Sequence, residues 1–137
     1  MFTEKFDSYV CIGDCIETVV GPYRVTARVV SDDRSSPDEH DAPGCCFDTS
    51  DPDHGEENES IIEAWRNDEW FYCGIVLDIE LADGTLWDPV QAASLWGIEC
   101  NFPGGNNAYL QEVANELLQE AIDEANESLE VMKESIL

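Results

Sequence analysis

From Tyr23 to Val30 the chain alternates, with Tyr23, Val25, Ala27 and Val29 separated by Arg24, Thr26 and Arg28. A period of two turns one set toward a core and the other toward water, the pattern of a half-buried strand. The β-branched run at 8–20 precedes it, and Gly21-Pro22 between them reads as a turn. The two runs predict an antiparallel hairpin. Residues 70–82 carry the strongest strand signal, and Asp83-Gly84 directly after them is a favoured hairpin turn. A partner strand is expected through Thr85-Leu86-Trp87, interrupted at Pro89 and resuming as an extended or irregular core segment over Ala93–Glu99.

Two segments carry helical spacing. Ser60 to Asp68 predicts a short helix, with Ile61, Ile62, Ala64 and Trp65 on its apolar side. From Ala108 to Ser135 there is neither Pro nor Gly, and Leu110, Val113, Ala114, Leu117, Ala121, Ala125 and Met132 recur at helical steps. Pro103-Gly104-Gly105-Asn106-Asn107 before this stretch supplies its N-cap. Between the first hairpin and the first helix, residues 31–59 hold eleven carboxylates, one Arg, three Pro and two Gly, and Phe47 is their only aromatic residue. That is the composition of a long acidic loop, and an unstructured loop of this length usually has a function. The order is β-β-α-β-β-α. The expected fold is α+β, a small antiparallel sheet of about four strands covered by a long C-terminal amphipathic helix, in one domain over 1–137.

Charge changes the picture most. Thirty-one Asp and Glu against six Lys and Arg give a net charge of -25 over 137 residues. Such a surplus repels itself within a compact fold and draws the protein toward basic surfaces. Surfaces that grip nucleic acid are basic because they neutralise phosphates, and dense carboxylates compete for them. Direct nucleic-acid binding is disfavoured, since the acids repel the backbone. A hydrophobic fraction of 43% with four Trp, four Tyr and five Phe separates the chain from a disordered acidic tail. No stretch approaches the roughly 20 apolar residues of a membrane span. The N-terminus lacks the order of a signal peptide, so a cytoplasmic location is expected.

The acids are patterned. Glu112, Glu116, Glu120, Asp123, Glu127, Glu130 and Glu134 follow at steps of four, four, three, four, three and four, which keeps them on nearly one helix face. With Asp32, Asp33, Asp38, Glu39 and Asp41 of the loop, they are the candidate partner-binding residues. A solvated acidic face is the plainer explanation of such a helix, and adaptation to high salt is another. Six cysteines and the aromatic content sit poorly with the second.

Other chemistry finds less support. Cys45-Cys46 with His40 or His54 offers thiolate and imidazole to zinc, but without a C-x-x-C pair. Cys73 and Cys100 lie in apolar runs, and the six cysteines are expected to be buried or inert thiols in a reducing cytosol. The loop lacks the order of a calcium-binding loop. No nucleophile elbow, P-loop or dinucleotide fingerprint occurs, so no catalytic residue and no cofactor is assigned. Trp65, Trp70, Phe71 and Tyr72 are expected in the core.

The segments Ala64-Trp65-Arg66-Asn67-Asp68-Glu69-Trp70-Phe71-Tyr72-Cys73-Gly74-Ile75-Val76-Leu77, Ala93-Ser94-Leu95-Trp96-Gly97-Ile98-Glu99 and Tyr109-Leu110-Gln111-Glu112-Val113-Ala114 resemble a family of small acidic proteins of phages and bacterial mobile elements. That resemblance carries over no catalytic residue. In charge and size the chain is similar to the DNA-mimic anti-restriction and anti-CRISPR inhibitors. These likenesses and the charge together imply a non-enzymatic protein that binds a basic DNA- or RNA-binding protein and inhibits it. A zinc-stabilised accessory domain using Cys45, Cys46 and a histidine is the alternative, an acidic housekeeping domain a third, and a homodimer is compatible with each.

Overall fold

The computed structural model describes residues 1–84 and 90–136, with side chains as far as Val131. The elements are β1 (Cys15–Val20), β2 (Tyr23–Ser31), α1 (Gly55–Arg66), β3 (Phe71–Leu81), β4 (Val90–Cys100) and α2 (Ala108–Ile136). Four strands form one antiparallel sheet in the order β1-β2-β3-β4. The α+β architecture and the element order are those that the hydrophobic pattern predicts. The strand expected through Thr85-Leu86-Trp87 and its break at Pro89 lie outside the described residues.

Tyr23, Val25, Ala27 and Val29 of β2 and Cys73, Ile75, Leu77 and Ile79 of β3 turn to one side of the sheet, where α2 covers them. The helix meets the sheet with Leu110, Ala114, Ala121 and Ala125, all buried, while Val113, Leu117, Leu118 and Ile122 flank the seam. Three alanines in that seam let the helix backbone approach the strands closely. Each large apolar side chain buried here contributes on the order of 1.5–3 kcal/mol.

The N-terminal segment straps the same core instead of extending β1. Phe2 is buried, its N–H donates to Asn115 Oδ1 at 2.7 Å, and Gln111 Nε2 donates to the Phe2 and Glu4 carbonyls. The strand expected from residue 8 therefore begins only at Cys15. The physical reason is the Asn101 side chain, which takes the Val10 N–H and donates to its carbonyl, each at 2.8 Å, so Val10 bonds a side chain instead of a strand. Asn107, also buried, donates to Asn101 Oδ1 and to the Asp7 and Ser8 carbonyls.

The acidic loop is shorter and better built than its composition suggests. β2 runs on to Ser31, and α1 begins at Gly55, five residues before the expected Ser60. The first turn of α1 carries Glu56 and Glu57, which its positive N-terminal end favours. Gly55 packs on the Thr49 carbonyl so closely that a Cβ would run into it. Between these limits lie a 3-10 turn at Pro37–His40 and a series of tight turns. Asp48 organises them by accepting from Gly44 N–H, Ser50 N–H and Ser50 Oγ. Phe47 anchors the loop in a second core with Ile62, Trp70 and Tyr72. Trp70 and Tyr72 are thus core, as their spacing suggested, while Trp65 and Phe71 are half-buried.

The cysteines depart from expectation. Cys73 and Cys100 are buried, but they are joined as a disulfide between β3 and β4. Cys11, Cys15, Cys45 and Cys46 are free and exposed, because they stand on turns and an edge strand instead of in apolar runs.

Candidate functional site

The apolar seam fixes the direction of the acids on α2. At 3.6 residues per turn, Glu112, Glu116, Glu120, Asp123, Glu127 and Glu130 fall within an arc of about 80° that points away from the seam. All six are exposed, and so is Glu124 beside them, which the stepwise pattern passes over. The side chain of Glu134 lies outside the described residues. From Ala108 to Val131 the helix contains no Lys, Arg or His. Glu112 to Glu130 spans about 27 Å, a length over which one DNA strand places about eight phosphates. The spacing is sparser than that of a phosphate chain and of the same order.

Lys133 stands near the C-terminal end of α2, and the arginines gather elsewhere. Arg24 and Arg28 lie on the open face of the sheet, opposite α2, and pair across the strands with Glu80 at 3.5 Å and Asp78 at 2.6 Å. Arg66 pairs with Asp38 and Glu63. Half-exposed pairs of this kind contribute at most about 1 kcal/mol each. Their consequence is spatial: charge is neutralised on the sheet and left bare on α2 as far as Val131.

The loop carboxylates divide by role. Asp32 accepts from Arg34 N–H at 3.0 Å, Ser35 Oγ at 2.9 Å and Gly97 N–H at 2.8 Å, tying the loop to β4. Burial opposes its charge, yet those hydrogen bonds outweigh burial and hold its carboxyl below the usual range. Asp41 accepts from the N–H and hydroxyl of Thr49, and Asp38 is taken by Arg66. Asp33 and Glu39 are exposed, and Asp33 accepts from the neighbouring Ser31 hydroxyl. The structure thus brings six of the predicted helix acids onto one surface, and it uses Asp32, Asp38 and Asp41 partly to build the loop.

A second group escaped the sequence pattern. Glu99 pairs with Tyr72 across β3 and β4 and is half-buried. Burial pushes its carboxyl up, and the nearby His40 draws it partly back. Burial first, and the Glu99 charge second, push the Tyr72 and Tyr109 hydroxyls up to about 12. Neither phenol ionises near neutral pH, so the group offers no activated nucleophile. Its cross-strand position is visible only once the register is known.

Cys45, Cys46, His40 and His54 are all exposed, and among the described residues no three His, Cys, Asp or Glu side chains gather as a metal site. No helix among the described residues is long and apolar enough to cross a membrane. No family model, no curated protein and no solved structure matches the chain.

Proposed function

We propose that this chain acts by binding and not by catalysis, presenting the acidic face of α2 to a basic DNA- or RNA-binding protein and occluding its nucleic-acid site as a DNA mimic. The observation that carries the reading is the row from Glu112 to Glu130, six exposed carboxylates on one arc with no cation on the helix as far as Val131. Self-repulsion makes that row unfavourable for folding, since like charges four residues apart each cost a few tenths of a kcal/mol. A large single-sign field of this kind steers partners of opposite sign. The similarity in charge and size to anti-restriction and anti-CRISPR inhibitors points to a defence protein as the target. The chain would act in the cytoplasm, where such targets meet nucleic acid.

Replacing Glu112, Glu116, Glu120 and Glu127 with Gln tests this. The variant should unfold at an equal or slightly higher temperature, because repulsive pairs are removed. Immobilised beside the wild type in one lysate, it should lose the basic nucleic-acid-binding proteins that the wild type retains. Equal retention would leave the helix face a merely solvated surface.

A further inference from the structure

The indole of Trp96 is held with one face down and the other open. Cys73 pairs with Ile98 and Ile75 with Leu95, so Trp96 and Gly97 together oppose Gly74 in a β-bulge. The bulge depends on Gly97, whose φ is +75°. It turns Trp96 to the open face of the sheet, where its ring covers Gly74 so closely that a Cβ there would fall under 3.0 Å from three ring atoms. Trp96 Nε1 donates to Ser94 Oγ at 3.2 Å. Gly74 covers one ring face, Ser94 holds the ring edge, and the residue is still 46% exposed.

That open surface borders a cleft of about 760 Å³ whose other wall is the turn from Ser31 to Ser35. Asp32 joins the two walls through the Gly97 N–H and stays ionised, and the exposed Asp33 stands beside it. A fixed aromatic face beside carboxylates, in a protein of charge -25, suits a cation: the ring quadrupole attracts it and the carboxylates hold it. Covering Gly74 accounts for one face of the indole. It does not account for the other.

We propose that this cleft receives a cationic side chain, the guanidinium of Arg or the ammonium of Lys, from a basic protein. The assignment rests on the reading that the partner is basic, and it adds a second contact distinct from the α2 face. Arg34 lines the same cleft, and among the described residues its side chain has no ion-pair partner. It opposes an entering cation and so tunes the affinity downward.

The test is a titration of the isotope-labelled full chain with N-acetyl-arginine amide, followed by NMR at the Trp96 indole N–H and the Gly97 amide. Capped lysine, neutral capped citrulline and capped glutamate are run in parallel. Capped arginine and lysine should shift both signals, and citrulline and glutamate should not. Trp96→Leu should weaken the response at Gly97 by about two- to fivefold, the worth of an exposed cation–π contact. Arg34→Ser should strengthen it, and the four-fold Gln variant of α2 should respond like the wild type at these two residues. Equal shifts from citrulline, stronger shifts from glutamate, or an unaltered response in Trp96→Leu would each overturn the proposal. An octa-arginine peptide separates its failure from that of the basic-partner reading. If octa-arginine shifts α2 signals while the cleft stays silent, only the cleft proposal falls; if it shifts neither, both fall.

Discussion

The Tyr23 hydroxyl donates to Asn126 Oδ1 at 2.6 Å, joining the first residue of β2 to a residue of α2 103 positions later. Tyr23 is buried, and its ring fills the core beneath the helix. The bond reinforces the rotation that the apolar seam gives α2, and that rotation decides where the carboxylates point. Burial raises the Tyr23 pKa, so the phenol stays protonated and able to donate.

Replacing Tyr23 with Phe keeps the packing and removes the bond. The expected loss is about 1 kcal/mol, the usual net worth of such a hydrogen bond, or roughly 4 °C in melting temperature for a domain of this size. A calorimetric scan measures it. An unchanged melting temperature would mean that the apolar seam alone orients α2.

The half-buried Glu99 gives stability a pH dependence whose sign is fixed. Burial raises its folded-state pKa despite the pull of His40, so the folded protein binds that proton more readily than the unfolded chain. Its stabilising contribution is complete below the unfolded glutamate value, about 4.3, and is lost as pH rises through the higher folded value. Glu99→Gln should therefore be more stable than the wild type at pH 7. The gap should close as pH falls toward the ordinary glutamate range. Urea midpoints of both proteins across that interval check this; a gap independent of pH would refute it.

Four cysteines stand exposed and two are bonded, so alkylation of the denatured, unreduced protein should add four groups, rising to six after reduction. Intact-mass measurement reads the count. Six groups before reduction would make Cys73 and Cys100 neighbouring thiols, the state expected of a reducing cytosol.

The fold was legible where one period rules a long segment. The alternation from Tyr23 to Val29 and the stripe from Leu110 to Ala125 were enough to place the sheet and its covering helix. What stayed hidden depends on contacts distant in sequence. Val10 leaves β1 because Asn101, ninety-one residues later, takes its backbone bonds. The start of α1 at Gly55 follows no apolar period, since its first turn is acidic. The helix acids could be aligned from spacing alone, because a regular helix converts spacing into direction. Trp96 could not be, because a bulge resets the alternation of β4 and only the register shows which face it reaches. Asp32 was legible as an acid and not as the tie between its loop and Gly97.

Occlusion of a nucleic-acid site makes one demand that acidity alone does not: the chain and DNA must exclude each other from the same basic surface. Competition at fixed, low salt measures this, because exposed charges are then least screened. The target is bound to labelled DNA, and displacement is followed as the chain or a polyglutamate of equal charge is added. The predicted result is displacement by the chain at concentrations where polyglutamate leaves the complex intact. A stable ternary complex of target, DNA and this chain would contradict it.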